Sequence, residues 1–130
     1  MLDKKKFYIN GEWVNPKSSQ TIDIINPATE EVCAKISLGN KDDVNGAVLS
    51  AKSAFKTWAF STKEERLAPL EKLYELYKKR WADIAEAITL EMGAPKDFAT
   101  KLQAGTGAAH IKTFISCLLY TSDAADEQQR

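Results

Sequence analysis

Few residues in this chain carry side chains that catalyse reactions, and their spacing limits what each can do. There are two cysteines, Cys33 and Cys117, and one histidine, His110. A cysteine attacks carbon when a nearby base or positive charge keeps it as thiolate. Cys33 has no histidine near it in sequence and sits in an alternating β-prone run, so it reads as an ordinary half-buried thiol. Two cysteines this far apart make neither a disulfide framework nor a zinc site. His110 lies several helical turns from Asp97 and reads as a surface histidine. Glu91 precedes Met92-Gly93 at a helix end, where a carboxylate meets the negative end of the helix dipole. It is either a solvated charge or an oxygen ligand for a cation, which would relieve that placement. Gly105-Thr106-Gly107 has the opening of a dinucleotide loop. No strand precedes it and the third glycine is missing, so no phosphate cradle is expected there. Tyr74, Tyr77 and Trp81 recur at helical spacing and read as core, not as a platform for nucleic-acid bases.

The elements that position these residues follow from turn signals and periodicity. Asn10-Gly11 between Phe7-Tyr8-Ile9 and Glu12-Trp13-Val14 predicts a hairpin, because a type I′ turn needs positive φ at both central residues. Thr21 to Ile25 predicts a second strand segment, with Ile22 and Ile24 on one face and Asp23 on the other. Asn26-Pro27-Ala28-Thr29-Glu30 ends it, since a residue before proline is pushed away from helical geometry. Glu31 to Ser37 predicts another strand, with Val32, Ala34 and Ile36 on one face and Glu31, Cys33 and Lys35 on the other. Short strands of this kind need a partner surface.

After Gly39 the period changes. Asn40 with Asp43 forms a box-like helix start. Val44, Ala47, Val48, Ala51, Ala54, Phe55 and Trp58 then make one apolar stripe. Thr62 to Glu65 is a second capping box, opening a stripe from Leu67 to Ile88 with a break expected near Lys79-Arg80. Gly93 and Pro95 stop it. A further helix is expected from about Lys96 to Ile115, with Gly105 and Gly107 inside it, either admitting another backbone or weakening the helix. The fold class is α+β: a hairpin and strands, then three to four amphipathic helices. A helical layer this long has too little sheet to lie on.

At 130 residues, 44% hydrophobic and 28% charged, the composition is that of one ordinary globular domain or a piece of one. Lys+Arg 18 balances Asp+Glu 18, so neither nucleic acid nor an anionic membrane is an expected partner. Lys4-Lys5-Lys6 reads as a solvated terminus. Met1 to Lys6 is charged with no apolar run after it, so no signal peptide is expected. No stretch reaches the length of a membrane span, and the expected compartment is the cytoplasm.

Four stretches together resemble the aldehyde dehydrogenase family. Phe7-Tyr8-Ile9-Asn10-Gly11-Glu12-Trp13 is similar to its opening hairpin. Ile25-Asn26-Pro27-Ala28-Thr29-Glu30-Glu31-Val32 is similar to its Asn-Pro-Ala-Thr-Gly-Glu-Val turn, with Glu30 where glycine is commoner. Asp42-Asp43-Val44 through Trp58 resembles its first amphipathic helix. Arg66-Leu67 through Leu90-Glu91-Met92-Gly93-Ala94-Pro95 resembles its second and third. The order and spacing carry the resemblance, which covers about residues 5 to 115.

The resemblance implies a longer parent that oxidises an aldehyde to a carboxylic acid with NAD or NADP. A cysteine forms a thiohemiacetal, hydride passes to the nicotinamide, and a glutamate-activated water hydrolyses the thioester. Those groups and the cofactor loop fall downstream, so no catalytic or cofactor-binding residue is expected here, and the chain alone is expected to be inactive and to bind no cofactor. Three roles carry over by position. The carbonyls of Ile24 and Ile25 and the carboxylate of Glu91 match a monovalent-cation site. Leu102 and Thr106 match positions facing the substrate tunnel. The opening strands match a region that packs on a neighbouring subunit, implying a homo-oligomer. Residues 1–115 are the expected N-terminal part of the domain. From Ser116-Cys117-Leu118-Leu119-Tyr120 onward the string departs from the family and resembles translated sequencing adapter, so residues 116–130 are expected to be non-native. The alternative from another class is a non-catalytic helical interaction module derived from the same family.

Overall fold

The computed structural model describes residues 2–127. The chain divides into two compact units. One comprises Met1–Phe60 with Leu90–Gly93, the other Ser61–Thr89 with Ala94–Arg130.

The first unit holds β1 (Leu2–Lys4), β2 (Phe7–Ile9), β3 (Glu12–Val14), β4 (Thr21–Asn26), β5 (Glu31–Ser37) and α1 (Lys41–Trp58). β2 and β3 pair antiparallel as a hairpin. Asn10 and Gly11 both have positive φ, 56° and 80°, the geometry that the Asn-Gly pair predicts. Tyr8 sits opposite Trp13 with ring centroids 5.3 Å apart. The second sheet runs β1-β5-β4, with β4 antiparallel and β1 parallel to β5. The turn between β4 and β5 is held by Asn26, whose side-chain oxygen accepts from the Ala28 N–H at 2.9 Å. Its carbonyl accepts from the Glu30 N–H at 2.8 Å. Glu30 itself is left-handed, φ 58°.

Strand β1 departs from expectation. No strand is expected there: Lys4 and Lys6 are exposed, in keeping with a solvated run, while the backbone of Leu2–Lys4 pairs with Ala34 to Ile36 of β5. The buried hydroxyl of Ser37 donates to the Lys5 carbonyl at 2.8 Å, which satisfies both groups just past the strand's end.

Helix α1 starts where Asn40 and Asp43 predict it. The Asn40 side chain accepts from the Asp43 N–H and the Asp43 carboxylate from the Asn40 N–H. Its apolar stripe forms but is not covered: Val44, Val48 and Phe55 are all exposed, Phe55 by 64%.

The second unit holds α2 (Lys63–Lys79), most of α3 (Trp81–Met92), α4 (Lys96–Phe98), a π-helical turn (Ala99–Gln103) and α5 (Ala104–Glu127). Thr62 and Glu65 cap α2 reciprocally. The break between α2 and α3 falls at Arg80, as the sequence predicts. α3 ends before Gly93 at φ 66°. A Cβ there would come within 2.7 Å of the Pro27 side chain, so glycine serves both the left-handed turn and the close approach.

The expected helix from Lys96 to Ile115 exists but differs in two ways. It contains the π-turn, and it continues to Glu127. The glycines inside it admit side chains, not another backbone. Gly105 faces the Trp81 ring, and a Cβ on Gly107 would overlap Tyr77. The core of this unit is small: Ala85, Ala99 and Ala104 cluster, with Trp81, Ile84, Ile88 and Ala94 packed against them. In the first unit Ala34 is buried, and among the described residues no large side chain is fully buried.

Candidate functional site

Ile24 and Ile25 lie on β4, where the pairing with β5 slips. Ile24 is opposite Ala34 and Ile25 opposite Val32, so Cys33 is the extra residue of a β-bulge. Bulges interrupt the ladder and re-aim backbone groups. The Cys33 thiol donates to the Ile24 carbonyl at 3.3 Å, which accounts for this cysteine as a packed thiol. Glu91 is exposed, in the last turn of α3. Two residues on, Gly93 meets Pro27, itself two residues past Ile25. The ends of α3 and β4 thus lie in one unit. Backbone carbonyls and a carboxylate are oxygen donors, the kind a hard cation takes. Among the described residues no cluster of three or more His, Cys, Asp or Glu side chains could hold a metal ion.

Leu102 lies in the π-turn and Thr106 one turn later. Both are exposed, Leu102 by 57%. The Thr106 hydroxyl donates to the Leu102 carbonyl at 2.9 Å, so the two share one tied face. Two residues that sequence reasoning left as plain core hold the opposite side. Trp81 donates its indole N–H to the Thr100 carbonyl at 2.9 Å, and Tyr77 its hydroxyl to the Ala104 carbonyl at 2.9 Å. The signal that could have found them was the pairing of Tyr77 and Trp81, four apart, with Gly105 and Gly107, two apart.

His110 is exposed on α5, and Asp97 pairs with Lys101 at 3.8 Å. Cys117 is exposed. Gly105-Thr106-Gly107 lies inside α5, where backbone N–H groups serve the helix ladder. These residues do not fit a cofactor phosphate. Lys5 pairs with Asp3 at 2.9 Å, and that hydrogen bond lowers the pKa of Asp3.

Short strands followed by long helices with uncovered apolar faces are the pattern of an α+β segment of a larger α/β enzyme. The chain matches the profile of the Aldehyde dehydrogenase family over residues 13–127, and it belongs to that family. It is 43% identical over 119 residues to a 3-succinoylsemialdehyde-pyridine dehydrogenase from a Pseudomonas species, covering 91% of this chain and 25% of that protein. It superposes on the crystal structure of an aldehyde dehydrogenase from Bartonella henselae with a TM-score of 0.89 and 47% identity, covering 92% of this chain and 25% of that one. A mutant aldehyde dehydrogenase C from Pseudomonas syringae, solved with NAD+ and octanal, matches with a TM-score of 0.86 and 38% identity, over 88% of this chain and 24% of that one. The chain thus spans about a quarter of the length of the relatives it matches. Among the described residues no helix is long and apolar enough to cross a membrane.

Proposed function

We propose that this chain is the N-terminal part of an NAD(P)-dependent aldehyde dehydrogenase that oxidises an aldehyde to a carboxylic acid. The observation that carries the reading is the close superposition on the Bartonella henselae enzyme over only 25% of its length. A relative solved with NAD+ and octanal supports the cofactor and substrate classes. In this reading the chain supplies no catalytic or cofactor-binding residue and is inactive alone. It contributes Leu102 and Thr106 to the wall of the substrate tunnel. It also contributes the carbonyls of Ile24 and Ile25 and the carboxylate of Glu91 to a monovalent-cation site. The parent is a cytoplasmic homo-oligomer that binds neither nucleic acid nor membrane.

Residues 1–115 form the native part, and residues 116–130 are a non-native tail. That division rests on the sequence of 116–127; residues 128–130 lie outside the described residues. The alternative, a non-catalytic helical interaction module, draws on the exposed α1 stripe of Val44, Val48 and Phe55.

The test is to supply the full-length protein with aliphatic aldehydes and NAD+ or NADP+. Equimolar formation of reduced cofactor and carboxylic acid is expected. A folded full-length protein that yields neither overturns the proposal and leaves the interaction module.

A further inference from the structure

The helical segment that runs from Lys96 to Glu127 carries one residue too many for a regular α-helix. The Ala104 N–H bonds to the Ala99 carbonyl, five residues back. A π-turn of this kind is disfavoured and persists where tertiary contacts hold it, commonly at functional sites. One inserted residue rotates all that follows by about 100° relative to what precedes. The insertion therefore decides where Leu102 and Thr106 point.

The holding contacts are specific. Trp81 donates to the Thr100 carbonyl, inside the π-turn, and Tyr77 to the Ala104 carbonyl, just past its end. Their rings meet edge to face at 6.2 Å. Ala99 and Ala104 are fully buried, and Gly107 leaves room for the Tyr77 ring, whose hydroxyl a Cβ would overlap. On the other face Leu102 and Thr106 are exposed and joined by a hydrogen bond.

We propose that Tyr77 and Trp81 are positioning residues for substrate selection. By holding the π-turn they make Leu102 and Thr106 present one lining surface, and so set how long an aliphatic aldehyde chain is accepted. This rests on the tunnel reading of Leu102 and Thr106.

The experiment compares kcat/KM for octanal with kcat/KM for propanal in the full-length protein. Leu102→Ala is expected to shift that ratio about tenfold, the scale of removing apolar contact in a hydrophobic pocket. Tyr77→Phe and Trp81→Phe are expected to shift it about three- to tenfold, with kcat for propanal changed less than about twofold. Added to Leu102→Ala, Tyr77→Phe should give little further shift, because the two act through one surface. A purely structural role would lower the melting temperature and leave the ratio unchanged, and that result overturns the proposal. If Leu102→Ala itself leaves the ratio unchanged, the tunnel reading fails and the proposal falls with it. If Leu102→Ala shifts the ratio and the aromatic variants do not, only the positioning role is lost. Tyr77→Phe removes a single oxygen, so it decides the matter should Trp81→Phe fail to fold.

Discussion

Gly107 faces Tyr77 so closely that a Cβ at position 107 would overlap the tyrosine hydroxyl. That hydroxyl is anchored on the Ala104 carbonyl. Alanine is favoured over glycine in a helix by about 1 kcal/mol, but here the ring must move and lose its hydrogen bond. Overpacking costs about 1–3 kcal/mol and the lost bond about 1 kcal/mol, so the clash wins. Gly107→Ala should destabilise the full-length protein by about 1–2 kcal/mol in denaturant unfolding. Gly46→Ala on α1, where nothing lies within 4 Å of the new Cβ, should stabilise it by about 0.5–1 kcal/mol. Equal effects at the two sites would contradict the packing described.

Glu30 pays a local cost for its turn. Its φ of 58° is left-handed, which costs a residue with a Cβ about 1 kcal/mol or more. This gives a physical reason for the glycine common at this place in the family's turn. Glu30→Gly should raise stability by about 0.5–1 kcal/mol, read as a higher denaturant midpoint at unchanged slope. A lower midpoint would mean the glutamate side chain does more than the backbone shows.

The hairpin, both capping boxes, the break at Arg80 and the stop at Gly93 were legible because each is a local event. Asn-Gly, Asn40 with Asp43, and Thr62 with Glu65 fix their own backbone. β1 was not legible, since three residues with a lysine at the end become a strand only by pairing with β5, some thirty residues away. The π-turn escaped for a similar reason. Its register depends on donors from Tyr77 and Trp81, which no period within residues 96–115 records. The cation and tunnel positions came from the family's pattern. Spacing alone marked only Glu91, and left it open.

Acid should release the start of α1. Asp43 accepts from the Asn40 N–H at 2.9 Å and the Lys17 N–H at 2.8 Å, and these backbone bonds hold its pKa below the ordinary 3.8. A carboxylate with a lowered folded pKa contributes stability that is complete above the unfolded value and lost as pH falls through the folded one. The carboxyl of Asp43, followed by NMR in the full-length protein, should therefore titrate below 3.8. Asp43→Asn should remove the associated loss of helix protection. A midpoint at or above 3.8 would mean the cap is not formed.

A cation bound by Ile24, Ile25 and Glu91 should raise the melting temperature of the full-length protein as its concentration rises. Glu91→Gln removes the only formal charge of the three and should weaken the effect of sodium or potassium about tenfold, a loss on the scale of one charged ligand. An undiminished shift in that variant would remove Glu91 from the site.

The proposed function makes this chain the first quarter of an aldehyde dehydrogenase, inactive without the rest, which supplies the catalytic groups and covers its apolar faces. Among the described residues the buried hydrophobics are all alanines, and each buried methyl-sized group contributes only about 0.8 kcal/mol. Val44, Val48 and Phe55 meanwhile stay in solvent. Exposed patches of this kind mark surfaces meant to be covered. The most direct measurement replaces the matching part of the Bartonella henselae enzyme with residues 1–115 of this chain and follows aldehyde-dependent reduction of NAD+ or NADP+. The isolated chain is assayed beside it. The chimera should be soluble and active, while the isolated chain should be inactive and bind a hydrophobic dye. A folded but inactive chimera, or an isolated chain that melts cooperatively as a monomer without dye binding, would contradict the claim.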